Sequence, residues 1–274
     1  MPGIEDKGML LGKSTPVLNE YSPQVLHSMP RAPARLDIGL DTMPALHGAD
    51  LWHAYELSWL EPTGKPVVRV GRFTVPASSP NIVESKSFKL YLNSLNSTPF
   101  ASVAEAQQTM VRDISAAAGQ AVALELLPVD DPSLAGITLP GKCLDDLPLA
   151  APDSGNAGIG LQHDPSHVIG ETLYSHLMRS LCPVTGQPDW ATVWLDYRGP
   201  AIDHSSLLQY IIAYREHQEF HEQCVERIFA DIYRSCAPQH LTVQAFYTRR
   251  GGLDISPLRS SDPGARPYTR LDRQ

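Results

Sequence analysis

Apolar and polar positions along this chain fall into two rounds of the same pattern. "LWHAYELSWL" (51–60) reads as a strand, "PTGKP" (62–66) as a turn, and "VVRVGRFTV" (67–75) as a returning strand with partial alternation, which together predict a hairpin. "ESKSFKLYLNSLN" (84–96) places Phe88, Leu92 and Leu95 on one helical face. Ser102 and Glu105 have capping-box spacing and open a second helix with a stripe of Val103, Met110 and Ile114, ended by Gly119. "AVALELLPV" (121–129) returns to strand. After a stretch rich in Pro, Gly and Asp (128–168), which reads as a long connector, the pattern restarts. "TLYSHLMRSL" (172–181) and "WATVWLDYR" (190–198) are strands around the turn "TGQP". Leu207, Ile211, Tyr214, His221, Val225, Ile228 and Ile232 form a helical stripe across 203–236, as one helix or as two with a break. "HLTVQAFYT" (240–248) is the final predicted strand, and "RRGG" follows it.

The order hairpin, two helices, strand therefore occurs twice, and an α+β fold of two tandem modules with antiparallel sheets is expected. The predicted layout is a Pro-rich, weakly periodic arm (1–50), a first module (51–140), a connector (141–168) and a second module (169–274). The repeat is visible in residues: "LEPTGKP" (60–66) resembles "LCPVTGQP" (181–188), with Thr63-Gly64 matching Thr185-Gly186 at an offset of 122. In that alignment Cys182 takes the place of Glu61 and Asp189 that of Val67, so reactive side chains occur on the second hairpin only.

Composition narrows the function classes. A 42% hydrophobic and 19% charged chain suits a soluble globular protein, and no apolar run approaches the ~20 residues that span a bilayer. The first residues carry acids and lack a long apolar stretch, so a secretory signal is not expected. A net charge of −8 argues against a broad nucleic-acid-binding face. Cys143, Cys182, Cys224 and Cys236 are spaced 39, 42 and 12 apart without a Cys-x-x-Cys, a poor match to a zinc ribbon or a disulfide framework. Four reduced thiols in a cytosolic protein is the reading that follows.

Three glycine and histidine motifs are set aside. "GMLLGKS" (8–14) has three residues between its glycines rather than the four of a phosphate loop, and no strand before it. "GNAGIG" (155–160) has the wrong glycine order for a dinucleotide fingerprint. "HDPSH" (163–167) reads as loop histidines without a third metal ligand. Cys182 carries more interest: it stands at a strand end beside Pro183, Asp189 lies across the same turn, and His221-Glu222 offers an acid–base pair elsewhere. A free thiol has a pKa of ~8.5, so a nucleophilic cysteine needs such help. Pattern alone leaves both readings open, a buried inert thiol or a nucleophile, just as His221 is either a core histidine or a catalytic one. Glu84 likewise suits either a ligand or the start of its helix, where a carboxylate favours the dipole.

"ESKSFKLYLNSLN", "LCPVTGQPDWATVWLDYRGP", "FHEQCVERIFADI" and "YTRRGGLDISP" together resemble the 7-cyano-7-deazaguanine reductases, the nitrile reductases of queuosine biosynthesis, a tRNA modification pathway. "LGKST" (11–15) and "AYELSWL" (54–60) extend the resemblance over nearly the whole chain, and the duplication matches the bimodular branch of that family. The resemblance implies the tunnelling fold, a homodimer, and a small 7-deazapurine substrate rather than nucleic acid or membrane. It implies reduction of a nitrile to an aminomethyl group with two NADPH per turnover and no metal. It assigns Cys182 as the thiol that forms a covalent thioimide, Asp189 as the proton donor and His221 as an aid to proton transfer. Ile82, Val83, Glu84, His221 and Glu222 would hold the base; Ser85, Lys86, Arg250 and Gly251 would hold NADPH. Two rivals remain at this stage: a GTP cyclohydrolase-like hydrolase, which would want zinc ligands, and a non-catalytic purine- or pterin-binding protein of the same fold, which would need neither Cys182 nor "TRRGG".

Overall fold

A computed structural model describes residues 20–43, 46–149 and 160–274. The stretches 11–15 and 8–14, and all but the last residue of 155–160, lie outside the described residues.

In the first module, β2 (His47–Leu60) and β3 (Pro66–Pro76) form the expected hairpin, followed by β4 (Asn81–Val83), α2 (Ser85–Ser94), α3 (Val103–Ala118) and β5 (Ala123–Leu127). The described part of the arm contributes β1 (Ser28–Pro30), which pairs antiparallel with β4, and the short α1 (Ala32–Asp37). The second module runs β7 (His163–Leu181), β8 (Pro188–Ile202), α4 (His204–Ala213), α5 (His221–Cys236), β9 (His240–Tyr247) and β10 (Leu253–Ser260). A two-residue-long β6 (Lys142–Cys143) precedes it and pairs parallel with β7.

The eight longer-range strands make one sheet in the order β5-β3-β2-β10-β9-β8-β7-β6, antiparallel apart from the β6–β7 pair. Helices α2 and α3 bury Phe88, Leu92, Met110 and Ile114 against Trp52 and Phe73, while α4 and α5 bury Ile211, Val225 and Ile228 against Val193 and Val243. Two cores thus lie side by side on one mixed α+β sheet.

The duplication extends to detail. α2 and α4 each have 10 residues and an acidic N-cap, Glu84 and Asp203, and α3 and α5 each have 16 residues. The tips of the two hairpins are closed alike: Glu61 N–H donates to the Lys65 carbonyl (2.8 Å) and Cys182 N–H to the Gln187 carbonyl (2.8 Å). Each tip needs its glycine, because Gly64 (φ 85°) and Gly186 (φ 67°) adopt the left-handed region that a side chain disfavours. Each long strand also carries a bulge before the tip, between Ala54 and Leu57 and between Ser175 and Met178.

Several expectations need revision. Strand β7 starts at His163, so "HDPSH" is strand rather than loop and the connector ends before residue 168. Strand β2 starts at His47, inside the expected arm. The stripe across 203–236 is two helices. The chain leaves helix after Glu216 because residues 217–218 are drawn to the tip of β7, where Leu181 N–H donates to the His217 carbonyl. Val103 is 42% exposed and outside the stripe. Ser102 caps α3, but Glu105 reaches the Ala101 N–H rather than that of Ser102. Strand β10 was not predicted at all, and it joins the modules by pairing with β2 on one side and β9 on the other.

Candidate active site

The junction made by β10 positions one cavity of about 950 Å³ out to its mouth. From the first module come Ile82 and Val83 of β4 and Ser85, Lys86 and Lys89 of α2; from the second come Cys182, Asp189, His221 and Glu222. Arg250 and Gly251, from the turn between β9 and β10, complete the rim. That turn is a two-residue connection in which Gly251 (φ 58°) and Gly252 (φ 79°) are both left-handed and Arg250 and Leu253 exchange backbone hydrogen bonds, the geometry that joins twisted antiparallel strands. Every residue nominated from the sequence lines this cavity except Glu84.

Glu84 is buried, and both its carboxylate oxygens accept from the first amides of α2, Lys86 N–H at 2.8 Å and Ser87 N–H at 2.6 Å. It caps the helix, which satisfies donors that no turn of helix can reach. Its effect on the cavity is indirect, through the placement of Val83, Ser85 and Lys86.

Cys182 is 4% exposed and directly follows β7; Asp189 is 3% exposed, on β8 opposite Ser180. The hairpin tip therefore presents both to the same cavity. Asp189 lies between two partners: His221 Nε2 is 3.2 Å from Oδ2, and the Arg250 guanidinium pairs with Oδ1. Arg250, expected on the dinucleotide, thus also holds a carboxylate at the cavity rim. His221 opens α5, and burial lowers its pKa to about 4, with the adjacent Glu222 charge opposing. The imidazole is neutral at pH 7. Glu222, one residue on, is pushed up to about 7 by burial and by the nearby Asp50 charge. Beneath it runs a buried ionic chain: Asp50 accepts from Arg31 Nη2 (2.6 Å) and Arg259 Nη1 (2.7 Å), and Glu226 accepts from Arg259 Nη2 (2.8 Å) and Arg35 Nη2 (2.7 Å). The chain ties the arm, β2, β10 and α5 together under the cavity floor.

Sequence reasoning missed Trp52, Lys89, Glu219, Phe220 and Thr248 among the lining. Lys89 was findable, since it stands three residues after Lys86 and shares its helical face; Trp52 and Thr248 come from other elements and left no local signal. Among the described residues, Cys143, Asp145 and His176 bring potential metal-binding atoms within 4.8 Å of one another. They lie outside the cavity, and the Asp145 carboxylate is engaged by Ser175 Oγ (2.7 Å) and the His176 N–H at the bulge of β7.

A thiol, a carboxylate paired to a neutral imidazole, and a second carboxylate line one cavity, an arrangement able to carry enzyme chemistry on a small polar molecule. The chain belongs to the 7-cyano-7-deazaguanine reductase family. A model described as "Nitrile reductase, 7-cyano-7-deazaguanine-reductase N-term" matches residues 18–126, and one described as "QueF-like protein" matches residues 188–265, one in each half of the chain. Among solved structures, the archaeosine synthase QueF-Like in the apo form aligns with 36% of this chain and 96% of that chain at 17% identity, with a TM-score of 0.31, too low to bear on fold or function. Among the described residues no helix is long and apolar enough to cross a membrane.

Proposed function

We propose that this protein reduces the nitrile of 7-cyano-7-deazaguanine to the aminomethyl group with NADPH, in queuosine biosynthesis, as a homodimer of tunnelling-fold modules that meet at the cavity. The observation that carries this reading is the convergence of Cys182, Asp189, His221 and Glu222 on one cavity in a chain of this family.

A nitrile resists direct hydride attack, so the reaction divides. The Cys182 thiol gives its proton to Asp189 as its sulfur bonds to the nitrile carbon, and Asp189 delivers that proton to the nitrogen, leaving a thioimide on Cys182. One hydride to that carbon gives a thiohemiaminal. The C–S bond then breaks, Cys182 leaves as thiolate, and an imine remains; a second hydride and proton complete the amine. NADPH, when bound, supplies the two hydrides. Glu222, as a carboxylate, accepts two N–H donors of the base side by side, and the β4 backbone at Ile82 and Val83 frames the ring. For the dinucleotide, Lys86, Lys89 and Arg250 are cations lining a cavity in a chain of net charge −8. Gly251 leaves open backbone there: a Cβ would come 3.0 Å from Lys89 Cδ. The residues fit an anionic, phosphate-bearing ligand. The cations must do this work, because Glu84 already occupies the Lys86 and Ser87 amides at the α2 N-terminus.

Mixing the protein with the nitrile base in the absence of NADPH tests the reading. A near-ultraviolet thioimide band is expected, absent in Cys182→Ala. No band in the native protein, with NADPH oxidation in Cys182→Ala, would reject it.

A further inference from the structure

His221 does not stand alone. The ring of Tyr247 lies face to face with the imidazole, centroids 3.7 Å apart and planes 9° from parallel. We propose that Tyr247 is a positioning residue for the reduction, whose stacked ring holds the His221 imidazole with Nε2 on Asp189 and keeps it dry and uncharged.

Tyr247 is 1% exposed and does not line the cavity, so it touches the chemistry only through His221. Its place is set first by backbone. It is the last residue of β9, paired with Ala191 two residues along β8 from Asp189, and Gln274 Nε2 donates to its carbonyl at 3.1 Å. The next residue, Thr248, donates its N–H to the Trp190 carbonyl at 2.9 Å. The hydroxyl is buried beside the Cys224 thiol and the Ser180 hydroxyl, and His221 Nδ1 is buried without a hydrogen-bond partner among the described residues. The ring is thus fixed in the same strand ladder that carries Asp189, and the imidazole is clamped between that ring and the Asp189 carboxylate.

The clamp matters because of what a charged imidazole would do. An imidazolium 3.2 Å from Asp189, added to the Arg250 guanidinium already paired with Oδ1, would hold the carboxylate ionised too firmly to carry a proton to the nitrile nitrogen. The titratable and charged groups that share the cavity with His221 are Asp189 and the Cys182 thiol on the hairpin, Glu219 just before α5 and Glu222 in its first turn, and Arg250, Lys86 and Lys89 across the cavity. Burial outweighs the anions among them and leaves the imidazole neutral down to about pH 4. The Tyr247 ring covers one whole face of the imidazole, and removing it opens that face to water.

This inference rests on the thioimide reading, and the test separates the two. The rate of adduct formation without NADPH is followed from pH 5 to 8.5 in the native protein, Tyr247→Phe and Tyr247→Leu. Native protein and Tyr247→Phe should share one pH dependence, since phenylalanine keeps the stack. Tyr247→Leu should gain an acid limb near the ordinary imidazole value of 6.5, so that its rate falls about tenfold between pH 8 and 5.5 while base affinity at pH 8 stays within about twofold. A native-like pH dependence in Tyr247→Leu, or the acid limb in Tyr247→Phe, overturns the inference. No adduct in the native protein at any pH overturns the thioimide reading instead. The His221 titration is also read directly by NMR in the native protein and Tyr247→Phe, which needs neither catalysis nor a folded leucine variant: a value below about 5 in both supports the clamp, and one near 6.5 in either rejects it.

Discussion

Glu222→Gln tests the electrostatics of the cavity floor without any substrate. Glu222 is 2% exposed, and burial together with Asp50 raises its pKa from the ordinary 4.5 to about 7. An acid whose folded pKa is raised holds its proton more tightly when folded than when unfolded. Its contribution to stability is therefore complete below pH 4.5 and is lost as pH rises through 7. At 1.36 kcal/mol per pKa unit, that loss is about 3 kcal/mol, and sharing of the field with Asp50 and His221 brings the expectation to about 2–3 kcal/mol. Glutamine keeps the shape and cannot ionise. Urea unfolding of the unliganded native protein and Glu222→Gln should thus give a difference that swings toward the variant by about 2–3 kcal/mol between pH 5 and pH 8.5. His221, whose lowered pKa costs stability as pH falls from 6.5 toward 4, is present in both proteins and largely cancels in the difference. The same Glu222 ionisation should govern the base. Its N–H donors need the carboxylate, so affinity in the native protein should fall up to tenfold per pH unit below pH 7. Parallel stability curves for the two proteins across the range would show that Glu222 titrates as an ordinary surface acid, and the argument would be wrong.

Asp189→Asn keeps the shape but removes the transferable proton, so adduct formation and reduction should slow by ~10²–10⁴-fold while calorimetry still detects the base; full activity with only a lower melting temperature would reduce Asp189 to a tether for His221 and Arg250. Glu84→Leu strands two α2 amides and should cost about 2 kcal/mol in urea unfolding with little change in base affinity; a tenfold or greater loss of affinity in a folded variant would return Glu84 to the base pocket. Arg259→Met removes one of the two guanidiniums, with Arg31, that Asp50 and Glu226 share and should destabilise the protein by about 3 kcal/mol, read as a lower urea midpoint; an unchanged midpoint would show that the Asp50–Arg259–Glu226 link is dispensable.

The repeated module was legible because its signals are local. Apolar periodicity, the Ser102 cap, the Gly119 stop and the two Thr-Gly tips act within a few residues, and the structure reproduces them with matched helix lengths and turn bonds. The Cys182–Asp189 relation was legible for the same reason, since a hairpin of known turn brings its two arms together. Strand β10 was not. "LDISPLRS" alternates only over Leu253–Ser256 before Pro257, and a proline there argues against an internal strand. The proline is tolerated because the ladder to β9 begins only at Leu258.

Once β10 is in place between β2 and β9, α2 and the end of β4 face the hairpin tip and the start of α5 across a single cavity. That juxtaposition separates carboxylates that look alike in sequence: Glu84 turns to its own helix amides, Glu222 to the cavity, and Asp189 to an imidazole and a guanidinium. It also sets Tyr247 on His221, 26 positions apart along the chain. Chain-local physics determined the modules and the residue types that carry chemistry. Only the packing of one module on the other decided which of those groups are buried, which are paired and which face the ligand, because burial and Coulomb interactions depend on distance in space and not on separation along the chain.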